Sequence, residues 1–366
     1  MDIKKQRRRS KIMTNHKKIL GICVSSRKDG NSSIILNELL RPAKEAGHEI
    51  EILNLGSLKI LPCRGCFACS SSHKCVLKDD LEMIKAKIEM ADAIALTSPC
   101  YYLSAPSILK AIMDRSAAWA ISKTANSSKK KYGVAVSVAG GAPIEFSLQR
   151  IFTSLFLGLN NCEIIGQLTI GHAFNKGEVL LDPSKLRLVS EIGENFLHSI
   201  EVDHCIKSAI NECEEKLVCP HCLSDAFQIY KDGRLICPVC GGELKRTNEK
   251  NVIVGFNRFS VQGAQGHNAH IVNNVIGGML ASDEIRQRLQ NYWKFDVLPK
   301  EGYQINLDLT EVKNSLDWDN EALEALKAAI PAAFQQIIKK VITKKALQNG
   351  ETCITKETVQ RYLPKF

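Results

Sequence analysis

Through its first 200 residues the chain alternates strand-type runs with helix-period segments, and few folds accommodate that alternation. Runs at 19–24 (ILGICV), 48–53, 91–97, 132–138 and 162–169 are separated by amphipathic patterns beginning at 34 and at 79–90, 105–120 and 144–157. An unbroken apolar run such as ILGICV suits a strand covered on both faces, and strands alternating with helices predict βαβ units wound into a doubly wound parallel α/β sheet. Such sheets bind ligands beyond the carboxyl ends of their strands, at the switch point. Three strand-end loops are therefore the candidate site: 25–33, 98–102 and 139–142.

The first loop, Ser25-Ser26-Arg27-Lys28-Asp29-Gly30-Asn31-Ser32-Ser33, empties into a helix N-terminus. Backbone N–H groups and the helix dipole favour an anion there, and the hydroxyls and Arg27 add donors suited to a terminal phosphate. No Gly-x-Gly-x-x-Gly occurs, so the loop suits a mononucleotide phosphomonoester; Ser and Asn also simply cap helices. The second loop, Ser98-Pro99-Cys100-Tyr101-Tyr102, offers a Pro-stiffened turn with aromatics. The third, Ala139-Gly140-Gly141-Ala142, has two glycines whose missing side chains let backbone amides approach a flat ring.

Two cysteine motifs carry further chemistry. Cys63, Cys66, Cys69 and Cys75 form Cys-x2-Cys-x2-Cys-x5-Cys, in which three closely spaced thiolates can wrap one face of a cubane and the fourth completes [4Fe–4S] ligation. Structural zinc and unligated thiols are the alternatives, although zinc sites usually come as two separated knuckles. Cys219-Pro220-His221-Cys222 and Cys237-Pro238-Val239-Cys240 are such paired knuckles around a short β-ribbon, and they predict a four-thiolate Zn2+ site. A mononuclear rubredoxin-like iron is the second choice, because the same tetrathiolate binds either metal. His221 is read as a bystander, and Cys205 and Cys213 receive no role.

The formal charge is +10, but residues 1–18 contain eight basic side chains against one acid, so the remainder is near neutral. This tail reads as a solvated arm, and nucleic acid is not the expected partner. It lacks the apolar core of a signal peptide, and no run of about 18 apolar residues occurs, so neither a leader nor a membrane span is expected. Fourteen cysteines in a chain expected to be cytoplasmic favour metal ligands over disulfides.

Taken together, SSRKDGNSS, CRGCFACSSSHKC followed by DDLEMI, ADAIALTSPCYY and PSILKAIMDR resemble the iron–sulfur flavoprotein branch of the flavodoxin-like NAD(P)H-dependent FMN reductases, over about residues 18–200. The resemblance implies an FMN phosphate held by Ser25, Ser26, Arg27, Asn31, Ser32 and Ser33. It implies an isoalloxazine ring against Pro99, Cys100, Tyr101 and Tyr102 and against Ala139, Gly140 and Gly141. Cys100 beside the ring reads as a small buried hydrophobe. The chain departs from the family pattern at Val24, Ser26 and Ser32, and at Leu103-Ser104, where a smaller glycine-containing turn is typical.

The resemblance further implies an electron-transfer flavoprotein passing electrons between a two-electron and a one-electron partner, in a homodimer or homotetramer, with NAD(P)H or a redox protein such as a ferredoxin as partner. No catalytic acid or base is expected. An NAD(P)H-dependent FMN or quinone reductase without a functional cluster is the alternative. Asp182-Pro183 reads as the N-cap and first turn of a helix through 197. His267 and His270 lack a third ligand and read as surface or capping residues. The last 50 residues read as a helical mini-bundle with Gly350 as a stop and Thr355 as a cap, and resemble the C-terminal domain of the light-independent protochlorophyllide reductase B subunit through Trp318, Ile330-Pro331, residues 346–350 and Ile354-Thr355. The expected division is a basic tail (1–17), an FMN and iron–sulfur domain (18–213), a zinc ribbon (214–248), a strand and helix extension (249–310) and the helical domain (311–366).

Overall fold

A computed structural model of the protein describes residues 16–66, 68–69, 74–116, 130–141, 148–204, 217–247, 251–260, 316–330 and 332–363, with isolated positions between 262 and 288. The basic tail up to residue 15, Cys205, Cys213, His267 and His270 lie outside the described residues.

Five strands, β1 (Lys18–Cys23), β2 (Glu49–Asn54), β3 (Ala93–Pro99), β4 (Lys131–Val138) and β5 (Cys162–Ile170), form one parallel sheet in the order β2-β1-β3-β4-β5. This is the flavodoxin-like order, and its switch point falls between β1 and β3. β3 and β4 are buried along their whole length, as their apolar composition requires. Helices α1 (Asn31–Glu45), α2 (Leu81–Met90), α3 (Ser107–Asp114), α4 (Gln149–Leu159) and α5 (Pro183–Val202) supply the crossovers and the flank.

On one face α1 and α5 pack with each other and with the sheet through Ile35, Leu39, Leu40, Val189, Ile192 and Phe196. Gly193 makes their approach possible, since a Cβ there would lie 2.6 Å from the Leu39 carbonyl oxygen. Asp182 caps α5 by accepting the Ser184 N–H, and Pro183 occupies its first turn, as the sequence predicts.

The ribbon belongs to the same compact unit as the sheet, residues 1–63 and 77–263. Its strands β6 (Gln228–Ile229), β7 (Leu235–Ile236), β8 (Glu243–Arg246) and β9 (Asn251–Val254) form an antiparallel sheet in that order. β9, assigned from sequence to the following extension, is thus the ribbon's fourth strand.

The second unit comprises residues 64–76 and 264–366. Its described core is built from β10 (Asp317–Trp318), α6 (Asn320–Ala329), α7 (Ala332–Gln348), β11 (Cys353–Ile354) and α8 (Lys356–Tyr362), packed through Ala322, Leu326, Val341, Ile342, Ile354 and Val359. Thr355 caps α8 by accepting the Thr358 N–H, and Gly350 follows α7 at φ 73°. Trp318 pairs with Ile354 in a short parallel bridge and donates its indole N–H to Thr343. Asp319, one residue later, is the N-cap of α6, so the chain is still extended at Trp318.

Candidate functional site

A cleft of about 560 Å³ opens at the carboxyl ends of β1, β3, β4 and β5, within the size range of small-molecule sites. Eleven of the thirteen residues expected to hold a flavin line it: Ser25, Arg27, Asn31, Ser32, Pro99, Cys100, Tyr101, Tyr102, Ala139, Gly140 and Gly141. Ser26 and Ser33 do not. The Ser33 hydroxyl donates to the Gly30 carbonyl inside the turn, and Ser26 backs onto Gly56 beneath the loop. Leu103, already marked by its departure from the family pattern, also lines the cleft, as do Val138, Ala173 and Phe174, which the sequence did not single out. The signal for the last two is that GHAFN follows the carboxyl end of β5, a fourth strand-end loop.

Ser32 is buried in the first turn of α1, just after Gly30, whose carbonyl accepts the Ser33 and Ile34 N–H groups at 3.1 and 3.2 Å. Ser25 is buried and accepts the Arg27 N–H through Oγ at 3.2 Å. Asn31, which lines the cleft, also ties neighbouring loops together. Its amide donates to the carbonyls of Ala173 and Asn175, both at 2.8 Å, and its Oδ1 accepts the Val179 N–H at 3.3 Å. These bonds fasten the loop after β5 to the loop after β1. Arg27 adds a bond from Nη1 to the Phe174 carbonyl at 3.0 Å.

The ring-side loop is a tight hairpin. Tyr101 and Ser104 exchange backbone hydrogen bonds of 2.8 and 3.1 Å, and the two residues between them, Tyr102 and Leu103, have φ of 52° and 68°. Positive φ at both central positions is the type I′ turn, which favours Asn-Gly, so Tyr102 and Leu103 hold this turn at a cost in strain. The Tyr102 side chain is fully exposed at the rim. Leu103→Gly is expected to stabilise the fold by up to about 1 kcal/mol, read as a rise in Tm, while weakening retention of a ring at the cleft. Cys100, expected to be a buried hydrophobe, is only half-buried and faces the cleft. Gly140 has no room for a side chain, because a Cβ would lie 2.5 Å from the Phe174 ring.

The ribbon thiols converge. The ligand atoms of Cys219, Cys222, Cys237 and Cys240 all lie within 4.8 Å of one another and the four residues are buried. The Cys219 and Cys240 sulfurs are 3.8 Å apart and those of Cys222 and Cys237 are 3.5 Å apart, against the roughly 3.8 Å edge of a tetrahedron with metal–sulfur bonds of about 2.3 Å. Each knuckle closes the same way: Leu223 and Gly241 adopt φ of 58° and 82° and donate to the carbonyls of Cys219 and Cys237. Hydrogen bonds among the crowded sulfurs push the Cys222 thiol up and pull Cys237 down, a conflict that a cation would relieve. His221 is no ligand; its ring pairs with the Asn257 amide at 3.1 Å.

Cys63 is exposed at the edge of the first unit, and Cys66, Cys69 and Cys75 are half-buried in the second. At the base of this cysteine loop lies a buried ion pair, Asp79 with Arg115, whose side chains are 0% and 1% exposed. Burial pushes the Asp79 carboxyl up, but hydrogen bonds from Arg115 and from the Leu61 and Leu81 N–H groups outweigh it and hold it below the usual carboxylate range. A depressed native value contributes stability above the unfolded value of about 3.9 and loses it as pH falls through the native one. Acid unfolding of the native chain is therefore expected to steepen below about pH 4, and the non-titrating Asp79→Asn should lack that component.

This cleft and sheet are those of the flavin-dependent oxidoreductases: the profile of the family described as NADPH-dependent FMN reductase matches residues 17–174. The chain is 30% identical over 192 residues to an iron–sulfur flavoprotein of Methanosarcina thermophila, covering 50% of this chain and 96% of that one. It is 36% identical over 124 residues to one of Archaeoglobus fulgidus, covering 34% of this chain and only 55% of the relative. The chain belongs to the iron–sulfur flavoprotein family. Among solved structures, a flavone reductase shares the fold with a TM-score of 0.59 and 21% identity, over 78% of this chain and 100% of that one. No helix among the described residues is long and apolar enough to cross a membrane.

Proposed function

We propose that the chain is an electron-transfer flavoprotein that binds FMN in the cleft and a [4Fe–4S] cluster on Cys63, Cys66, Cys69 and Cys75, and that passes electrons between a two-electron donor such as NAD(P)H and a one-electron acceptor such as a ferredoxin. The observation that carries the reading is the assembly of eleven expected flavin residues around one cleft in a chain of this family. In this reading Ser25, Arg27, Ser32 and the first N–H groups of α1 hold the phosphate. Tyr101, Tyr102, Cys100, Pro99 and the 139–141 backbone bracket the ring. Once bound, FMN can exchange a hydride or single electrons and the cluster one electron at a time. The chain's own residues position and shield.

The ribbon holds a structural Zn2+, or an iron on the same four thiolates. Around the cleft Tyr101, Tyr102, Leu103, Leu148 and Phe174 are exposed, an apolar rim that a homodimer or homotetramer would cover.

Anaerobically purified protein should carry iron, sulfide and FMN, with broad absorbance near 400 nm beyond the flavin bands. Cys69→Ser is expected to lose most of the iron, sulfide and colour while binding FMN with an affinity within about twofold of wild type, because its thiol does not line the cleft. Iron and sulfide undiminished in that variant would remove Cys69 from the ligand set. Protein that takes up FMN but no iron would be a plain flavin or quinone reductase.

A further inference from the structure

The Cys-x2-Cys-x2-Cys-x5-Cys loop must bring four thiolates to one point, and its two ends are joined by a device that the flavin cleft does not use. Leu61, which leads into the loop, donates its N–H to Asp79 Oδ2 at 2.7 Å across 18 positions of sequence. Arg115, at the end of α3, donates from Nη1 to the Leu61 carbonyl at 3.0 Å and from Nη2 to Asp79 Oδ1 at 3.0 Å. Its Nη1 also meets Asp79 Oδ2. Asp79 Oδ1 further accepts the Leu81 N–H in the first turn of α2, at 3.2 Å. A second tie runs beside the first: Asp80 Oδ2 accepts the Lys59 N–H at 2.7 Å, and the Asp80 N–H donates to the Lys59 carbonyl at 3.1 Å.

We propose that Asp79, locked in place by Arg115, is the positioning residue of the cysteine loop, pinning the chain that enters the loop to the helix that leaves it. A carboxylate suits this task because it can accept from two backbone amides and a guanidinium fork at once. Closing a loop of this length costs conformational entropy, and the buried clamp meets that cost before any metal arrives. Each thiol then searches a loop whose ends are already fixed. The identity of the group that the loop holds rests on the function proposed above; the clamp itself does not.

The test uses the full chain. In the apoprotein, Asp79→Ala is expected to speed tryptic cleavage at Arg64 and Lys74, which are exposed, by about tenfold or more, because cleavage follows the population of the opened loop. FMN affinity, measured by quenching of flavin fluorescence, should stay within about twofold, since Asp79 does not line the cleft. After anaerobic reconstitution the variant should hold less than half the iron of wild type, and the cluster that forms should show a shifted reduction potential, which simple loss of stability would not produce. Asp80→Ala, which cuts one hydrogen bond outside the buried pair, should shift cleavage, iron content and potential the same way by less, and it decides the matter if Asp79→Ala does not fold. Wild-type cleavage rates, iron content and potential in a folded variant would overturn the proposal. If wild type itself takes up no iron, the cluster reading fails, and the cleavage arm still judges the clamp.

Discussion

Cys237→Ser is expected to empty the ribbon of metal and, through helix α4, to weaken FMN binding at the cleft beside the start of that helix. A structural tetrathiolate contributes folding free energy of about 10–16 kcal/mol in small zinc modules, and the ribbon has little else to hold it. Its strands are two to four residues long, and apart from the four ligands its buried side chains are few, Val239 and Leu244 among them. Once it opens, α4 loses what the ribbon presses against it. Ser154 Oγ donates to the Cys222 carbonyl at 2.9 Å, and Arg150 Nη2 donates to the Leu223 carbonyl at 3.3 Å. The Phe259 ring lies so close to Gly158 that a Cβ there would be 2.5 Å away.

The same helix is preceded by Leu148, whose N–H donates to the Leu103 carbonyl at 3.0 Å and so steadies the strained Tyr102-Leu103 turn at the cleft. FMN affinity is expected to fall by about tenfold, the equivalent of one hydrogen bond of about 1.4 kcal/mol. Metal analysis paired with a fluorescence titration checks this. Metal-free protein that binds FMN as tightly as wild type would make the ribbon an independent appendage.

How far such relations can be read from sequence depends on whether the cause is local. ILGICV and ADAIALTSP announce buried parallel strands because an unbroken apolar run leaves no face for water, and their carboxyl ends mark the cleft. The knuckles are legible because a tetrathiolate needs two short hairpins at a fixed spacing. Asn31 is different. Asn, Ser and Arg in a loop before a helix fit anion binding, and only the fold shows that the Asn31 amide is spent on Ala173, Asn175 and Val179, more than 140 positions away.

Phe174 was not singled out, and β9 was read as a strand but placed outside the ribbon, for the same reason. Their roles come from what lies opposite them, Gly140 and β8, not from their own periodicity. The Asp79–Arg115 pair is visible in sequence only as DDLEMI and PSILKAIMDR, two ordinary amphipathic openings. A charge in such a pattern reads as a solvated face, and here both partners are buried because each satisfies the other.

Gly56→Ala is expected to lower FMN affinity by about 10- to 100-fold without touching the cleft, because losing a hydrogen bond to a charged phosphate costs about 1.5–3 kcal/mol. Gly56 sits in the single turn Leu55–Ser57 that follows β2, with its N–H bonded to Asn54 Oδ1. A Cβ at this position would lie 2.2 Å from Ser26 Cα, 2.6 Å from Ser26 N and 2.7 Å from the Ser25 carbonyl oxygen. All three are backbone atoms, so no rotamer change relieves the contact. Leu55 beside it is fully buried, which keeps the turn from retreating. The phosphate loop must therefore lift, carrying Ser25 and the N–H groups before α1 out of register, while stability falls by about 1–3 kcal/mol as in other overpacked sites. Gly233→Ala is the control: its Cβ meets nothing within 4 Å, and φ of 84° makes it costly for strain alone. It should lower Tm without moving the FMN dissociation constant. If the two variants lose stability alike and bind FMN alike, the floor under Ser26 does not set the height of the phosphate loop.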